Sequence, residues 1–334
     1  MNTLGCAVVG LGIGEQLART LAANRACHLR LLCDHDLGKA EKIAGELGAG
    51  RIVSDYQRIL EDPEVNLVVI ASYDQDHYAH TMAALEAGKH VFVEKPLCYS
   101  PAQLEAIRTQ WEKAGGTLRL STNHILRSAP LYRWLKERIT AGDLGHIYAL
   151  DGEYLYGRLE KIISGWRGEV VDYSVMLGGG IHMVDLMLWF AAEQPQTVYA
   201  IGNQISTEGT TFHSDDFVSA TFQFPSGLVG RITANFGCVH RHHHVLRIYG
   251  TKGTFLYDDA GPRWHFSRDP GFAGSPIYFA PLPASKGGLL SAFVSTILEG
   301  TEALLPEPDV FDVLLACLAS DQSLKQGAIV KIQR

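Results

Sequence analysis

Short apolar runs alternate with amphipathic stretches over the first third of the chain. Leu4–Val9, His28–Cys33, Asn66–Ala71, His90–Val93 and Thr117–Ser121 read as strands. Glu15–Ala23, Lys39–Leu47, His77–Ala87 and Pro101–Ala114 read as the helices between them, with Gly48 and Gly88 just past two ends and Pro101 at one start. Strands that are continuous apolar runs are buried on both faces. Strands alternating with helices form βαβ units, so this region is expected to be a doubly wound parallel sheet.

After about residue 125 the pattern changes. Helices are expected over Leu131–Ile139 and Gly180–Phe190, with a long strand near Ile147–Tyr156 between them. Strand-like runs then follow one another over Thr197–Ile201, Phe217–Phe224, Gly227–Phe236, His244–Tyr249 and Thr254–Tyr257, with Pro225-Ser226-Gly227 as a turn between two of them. Such succession implies a large, mostly antiparallel open sheet. Helices over Leu289–Leu298 and Val310–Gln322 and a strand over Ile329–Ile332 finish the chain. The expected fold class is α/β: an N-terminal Rossmann-type domain over 1–122 and a C-terminal α+β domain over 123–334.

Composition narrows the function. The 334 residues are 46% hydrophobic, enough for sizeable cores, and the net charge is −7. Both halves are acidic (12 basic and 15 acidic side chains in 1–122, 17 and 21 in the remainder), which disfavours nucleic acid and anionic membrane as partners. The six cysteines (Cys6, Cys27, Cys33, Cys98, Cys238, Cys317) are scattered without a CxxC pair. With no leader-like start and no apolar run of membrane-spanning length, a cytoplasmic protein with reduced thiols is expected. Glycine is in excess at 34 residues and marks tight turns and close backbone approaches.

The first such place is Gly10-Leu11-Gly12-Ile13-Gly14, directly between a strand and a helix. Glycines there let the backbone approach a pyrophosphate, and the helix start supplies free N–H groups and a positive dipole end. The full pattern has a small residue at position 15 for helix–strand packing, and this chain has Glu15. Asp34 ends the second strand, 20 residues after Gly14, where a carboxylate accepts from a ribose diol and repels a 2′-phosphate. No Arg or Lys follows in Asp34-His35-Asp36, so NAD is expected over NADP.

Ala87-Gly88-Lys89-His90-Val91-Phe92-Val93-Glu94-Lys95-Pro96 resembles the Gfo/Idh/MocA oxidoreductase family. Ala71-Ser72-Tyr73-Asp74 with His77 is similar to its Ala-Thr-Pro-Asn…His loop, with Tyr73 and Asp74 as departures. Trp166-Arg167, Gly180-x-His182 with Met183-Val184-Asp185, Asp215-Asp216, Gly250-Thr251-Lys252-Gly253 and the Ser323–Gly327 tail resemble its later signatures. The resemblance implies bound nicotinamide, held by Gly10, Gly12, Ile13, Gly14, Asp34, Ser72, His77, Glu94 and Lys95. It implies sugar, cyclitol or nucleotide-sugar substrates, and a homo-oligomer (dimer or tetramer) formed through the C-terminal sheet. Lys95 and His182 are then the catalytic residues. The family usually carries an Asp four residues before that histidine, and here the position is Gly178.

The chemistry agrees with that pair. Removing a hydride from a secondary alcohol leaves a proton for a base, which suits His182, and a developing oxyanion for a cation, which suits Lys95. Asp185, three residues beyond His182, shares its helix face and can orient the imidazole or bind a neighbouring hydroxyl. Asn123, His124 and Arg127 follow the last parallel strand and can line the substrate cleft with Arg167. His240-Arg241-His242-His243-His244 puts His242 and His244 on one strand face and His243 on the other. Without a third ligand no metal is expected there, and a sugar-facing wall or an oligomer surface fits better. Two alternatives to a dehydrogenase remain: an NAD-using glycoside hydrolase of the same fold, and a non-catalytic ligand sensor.

Overall fold

The computed structural model describes residues 3–280, 282 and 286–333; Met1, Asn2 and Arg334, within the expected domain bounds, lie outside the described residues. The chain forms two compact units, Met1–Ala129 with Leu282–Phe311, and Pro130–Pro281 with Asp312–Arg334.

The first unit runs β1 (Leu4–Val9), α1 (Gly14–Ala23), β2 (Cys27–Cys33), α2 (Leu37–Leu47), β3 (Arg51–Val53), α3 (Gln57–Glu61), β4 (Leu67–Ile70), α4 (His77–Glu86), β5 (His90–Val93), α5 (Pro101–Lys113) and β6 (Leu120–Thr122). The six strands order as β3-β2-β1-β4-β5-β6, all parallel. Every residue of β1 and β4 is buried, as continuous apolar strands require. The order reverses between β1 and β4, which opens a crevice at the carboxyl ends of those two strands.

The expected boundary at residue 122 assigned everything later to one domain, whereas residues 282–311 pack with the first unit. The cause is apolar. A helix over Gly288–Glu299 buries Leu289, Leu290, Phe293 and Val294, and Phe293 meets Phe92 of β5 with ring centroids 5.6 Å apart.

The second unit continues with α6 (Pro130–Thr140), β7 (Ile147–Leu155), α7 (Glu160–Ile163), α8 (Ile181–Ala191), β8 (Thr197–Asn203), β9 (Phe217–Gln223), β10 (Val229–Asn235), β11 (His243–Gly250), β12 (Thr254–Asp258), β13 (Gly261–His265) and β14 (Ser275–Pro276). The helix over Gly288–Glu299 is α9, followed by α10 (Glu307–Gln326) and β15 (Val330–Lys331). The sheet order is β14-β13-β12-β11-β7-β10-β9-β8-β15. It is antiparallel except for β7 and β10, which run parallel side by side because β10 returns through β8 and β9 rather than through a hairpin with β7.

One sheet face carries α8, whose residues are buried nearly all round, as suits a helix that is apolar on every side. Glycines bring it close: a Cβ at Gly152 would press on Met183, and one at Gly230 would overlap Met187. The other face leaves Tyr199 and Ile201 exposed beside the Arg231–Asp151 and Arg247–Glu153 ion pairs. Among the described residues no helix is long and apolar enough to cross a membrane, and all six cysteines are free.

Candidate active site

The candidate nucleotide residues, all in the first unit and one half of the expected set, are arranged by backbone. After β1 the chain turns at Gly10 with φ +80°, where any side chain would overlap the Ala71 carbonyl. Gly12 faces open space, and α1 starts without a side-chain cap, so its first amides point into the crevice uncommitted by any capping side chain. Gly14 takes the packing role expected of position 15. Its Cα lies so near Ala71 and Val8 that a Cβ would sit 3.1 Å from each. Glu15 points outward to an ion pair with Arg19 at 2.7 Å, so it leaves helix–strand packing intact.

Asp34 is pinned beside this turn. Its Oδ2 accepts from the Leu11 N–H at 2.6 Å and its Oδ1 from the Asp36 N–H at 2.9 Å. Lys39, from the first turn of α2, reaches Oδ2 at 3.8 Å. A cation near this acid is a feature that the dipeptide after Asp34 did not reveal, because one helical turn brings position 39 back to it.

Past β4 and β5 the remaining residues of this half are fixed by hydrogen bonds. His77 is fully buried; its Nδ1 lies 2.7 Å from the Pro96 carbonyl and its Nε2 3.2 Å from the Ser72 carbonyl. The ring thus ties the two loops together and holds the Glu94-Lys95-Pro96 turn, rather than presenting a nitrogen to a ligand. Ser72 Oγ meets His80 Nδ1 at 3.0 Å. Half-buried Lys95 follows Glu94, whose Oε1 accepts from Asn123 Nδ2 at 2.6 Å. Asn123 also donates to the Lys286 carbonyl, and His124 Nε2 meets Thr122 Oγ1. Arg127, expected on substrate, is 1% exposed and donates to Asp309 at 2.7 Å and to the Leu304 carbonyl at 3.2 Å. It is a buried clamp on the returning 282–311 segment. Asn123 and Arg127 belong to the first unit, whereas Arg167, His182 and Asp185 belong to the second.

The other half of the expected set, in the second unit, is a cluster of side chains. One π-helical turn, Met176–Gly180, precedes α8; such turns are frequent at functional sites. Ser174 anchors it, with Oγ accepting from the Leu177 N–H and donating to Asp321 at 2.8 Å. Burial pushes the Asp321 carboxyl up to about 7. Gly178 has no room for the expected carboxylate: a Cβ there would overlap the Tyr173 hydroxyl. That phenol, on a ring 3% exposed, accepts from Arg167 Nε at 3.0 Å, and the Arg167 guanidinium lies 4.4 Å above the Trp166 ring.

His182, in the first turn of α8 and 6% exposed, stacks on Tyr154 of β7 at 6.0 Å and meets His244 of β11 edge-on at 6.2 Å. Tyr154 and His244 are directly paired across the strands. Beyond them Tyr156 stacks on Phe236 at 4.5 Å, with the Arg158 guanidinium 4.5 Å above Tyr156. Asp185 is fully buried. It lies inside against α10, where after burial and Asp321 its charge helps raise the Cys317 thiol. Among the described residues no three His, Cys, Asp or Glu side chains gather as metal ligands.

A family model described as "Oxidoreductase family, NAD-binding Rossmann fold" matches residues 4–122, and one described as "GFO/IDH/MocA C-terminal domain" matches residues 132–256. The chain is 28% identical to the D-glucoside 3-dehydrogenase of Escherichia coli (strain K12), over 78% of this chain and 76% of that one. It is 25% identical to the myo-inositol 2-dehydrogenase of Thermotoga maritima, over 98% of each. Among solved structures, levoglucosan dehydrogenase in complex with NADH superposes with a TM-score of 0.88 at 20% identity, covering 99% of this chain and 100% of that one.

Proposed function

The chain belongs to the Gfo/Idh/MocA oxidoreductase family, and from that premise we propose that it is an NAD-dependent dehydrogenase of a secondary hydroxyl on a sugar, cyclitol or nucleotide-sugar type of substrate. The observation that carries this is the Gly10–Gly14 turn with the uncapped start of α1 and Asp34 fixed beside it, a cradle shaped for a dinucleotide and lacking any bulk at Gly12. The names of the relatives, dehydrogenases of glucosides and inositols, support the substrate class.

Bound nicotinamide supplies the hydride acceptor. The pyrophosphate falls to the amides of Gly12 to Gly14, and the adenosine ribose to Asp34. An acid there repels a 2′-phosphate, and Lys39 is already paired with it, which favours NAD. His182 takes the hydroxyl proton, and the Lys95 ammonium stabilises the developing oxyanion. Because Gly178 carries no carboxylate, the Tyr173 phenol, held by Arg167, is the polar group that fills the volume in front of that helix turn. The protein acts in the cytoplasm and associates through the open face of its sheet, where Tyr199 and Ile201 are uncovered. A mass measurement giving a monomer at all concentrations contradicts that association. The activity is tested by a screen of sugars, cyclitols and nucleotide sugars for NADH formation. Growth of NADH absorbance with a polyol supports the reading. Glycoside cleavage without net NADH selects the hydrolase, and NAD binding with no chemistry the sensor.

A further inference from the structure

The His240–His244 segment is not used by the reaction just described, yet it enters the same cluster as His182. His244 and Tyr154 are opposed across β11 and β7 and share the sheet face that carries α8. His242 lies 4.9 Å from His244, and both rings meet Tyr154 edge-on, at 5.0 and 5.3 Å. His243 points the other way, onto Tyr257 at 5.0 Å. The pair beside His182 is therefore His242 and His244.

Both rings are neutral at ordinary pH. Burial pushes His244 down to about 3, and burial with the nearby Arg158 cation pushes His242 down to about 4. A neutral imidazole offers one donor and one acceptor. His242 Nδ1 lies 3.1 Å from the Leu155 carbonyl, which only accepts, so Nδ1 donates and Nε2 is left as an acceptor. His244 is 5% exposed, and among the described residues neither of its ring nitrogens makes a protein hydrogen bond. A buried polar side chain without a protein partner is costly unless water or a ligand satisfies it. Next to it the stacked Tyr156 and Phe236 rings supply an apolar surface suited to the C–H face of a pyranose or cyclitol ring.

We propose that His244, with His242 behind it, is a specificity-determining residue that hydrogen-bonds a ring hydroxyl of the substrate adjacent to the one handled by His182. This rests on the dehydrogenase reading for the identity of the ligand. Two neutral rings do this without adding a cation beside a base that must gain a proton. Their low affinity for protons also makes them poor proton carriers, so they recognise substrate and do not relay protons.

The test measures binding of myo-inositol, scyllo-inositol, D-glucose and methyl β-D-glucoside to the NADH-loaded protein by calorimetry. His244→Phe keeps the ring that packs on Tyr154 and removes both nitrogens. The expected result is a roughly tenfold or greater loss of affinity for the bound polyol with NADH affinity unchanged. Thermal stability is expected unchanged or raised, since no protein hydrogen bond among the described residues is lost and the ring packing on Tyr154 is kept. His244→Gln restores part of the binding. Wild-type polyol affinity in His244→Phe overturns the proposal. So does a parallel loss of stability and NADH binding, which marks a structural role, and so does failure of the wild-type protein to bind any of the four. NADH formation by the wild-type protein with a polyol it binds separates the two readings. NADH formation with polyol binding intact in His244→Phe keeps the dehydrogenase and removes the proposal. Polyol binding that is weakened in His244→Phe, with no NADH formed by the wild-type protein, does the reverse.

Discussion

The two units hold their candidate residues in different ways, and each supplies one half of the proposed chemistry. The nucleotide half is a backbone structure: Gly10 at φ +80°, the bare first turn of α1, and Asp34 held by the Leu11 and Asp36 amides, all within one βαβ stretch. The acid/base half is a side-chain structure. His182 rests on Tyr154, His244 and the π turn, which come from three elements far apart in the chain. A backbone cradle tolerates change at its side chains, whereas a side-chain cluster shares its geometry among all its members. Substitutions in the first half should shift cofactor choice, and those in the second should alter chemistry and packing together.

The largest effect tests where that division ends. Lys95 sits in the nucleotide unit but is proposed to serve the chemistry, so Lys95→Ala should lower kcat by about 10²- to 10⁴-fold while leaving NAD affinity within a few-fold. Steady-state kinetics with a titration of NAD fluorescence checks both parts, and near-normal kcat contradicts the role. Next, Asp34→Ala should reduce the preference for NAD over NADP by roughly 10- to 100-fold, about the worth of a charge-assisted contact and a lost repulsion. Unchanged discrimination in kcat/KM for the two nucleotides removes Asp34 from that task.

In the second half, Gly178→Asp should destabilise by about 1–3 kcal/mol, because the new side chain overlaps the Tyr173 hydroxyl. Tyr173→Leu should relieve part of that cost, and denaturant unfolding of the two single variants and the double reads it. A Gly178→Asp protein as stable as the wild type would show that the phenol does not fill this space.

The smallest effect concerns Asp321 behind the π turn. Burial raises its carboxyl to about 7, above the unfolded value of 3.8, so the fold holds its proton more tightly than the unfolded chain does. That contribution is fully present below about pH 4 and is lost as pH rises through about 7. Asp321→Asn should therefore flatten the fall in Tm between about pH 4 and 7, and an unaltered slope contradicts the assignment.

The same contrast explains what could be read from sequence. The parallel strands, the glycine turn and Asp34 announce themselves because period, punctuation and spacing lie within a few tens of residues. Arg51–Val53 is too short to show a period, and Gly261–His265 carries Pro262 and lacks alternation, so neither strand was visible. Even the parallel pairing of β7 with β10 requires knowing which strands lie between them in space. Tyr173 has no local signal: its place at Gly178 depends on the π turn and on Arg167. Arg127 and His77 were legible as polar residues near strand ends, but their burial against Asp309 and against two backbone carbonyls is a tertiary fact. The return of residues 282–311 to the first unit is another, since it rests on Phe92 meeting Phe293 and on Arg127 holding Leu304 and Asp309.

The central claim of the proposed function is that Lys95 and His182 act in the same chemical step. A double-mutant cycle on kcat/KM with Lys95→Ala, His182→Ala and the double variant tests it most directly. Groups that act in one step lose their effect together, so the double variant should be little worse than the weaker single variant. Losses that multiply would show the two residues acting independently and would contradict the account.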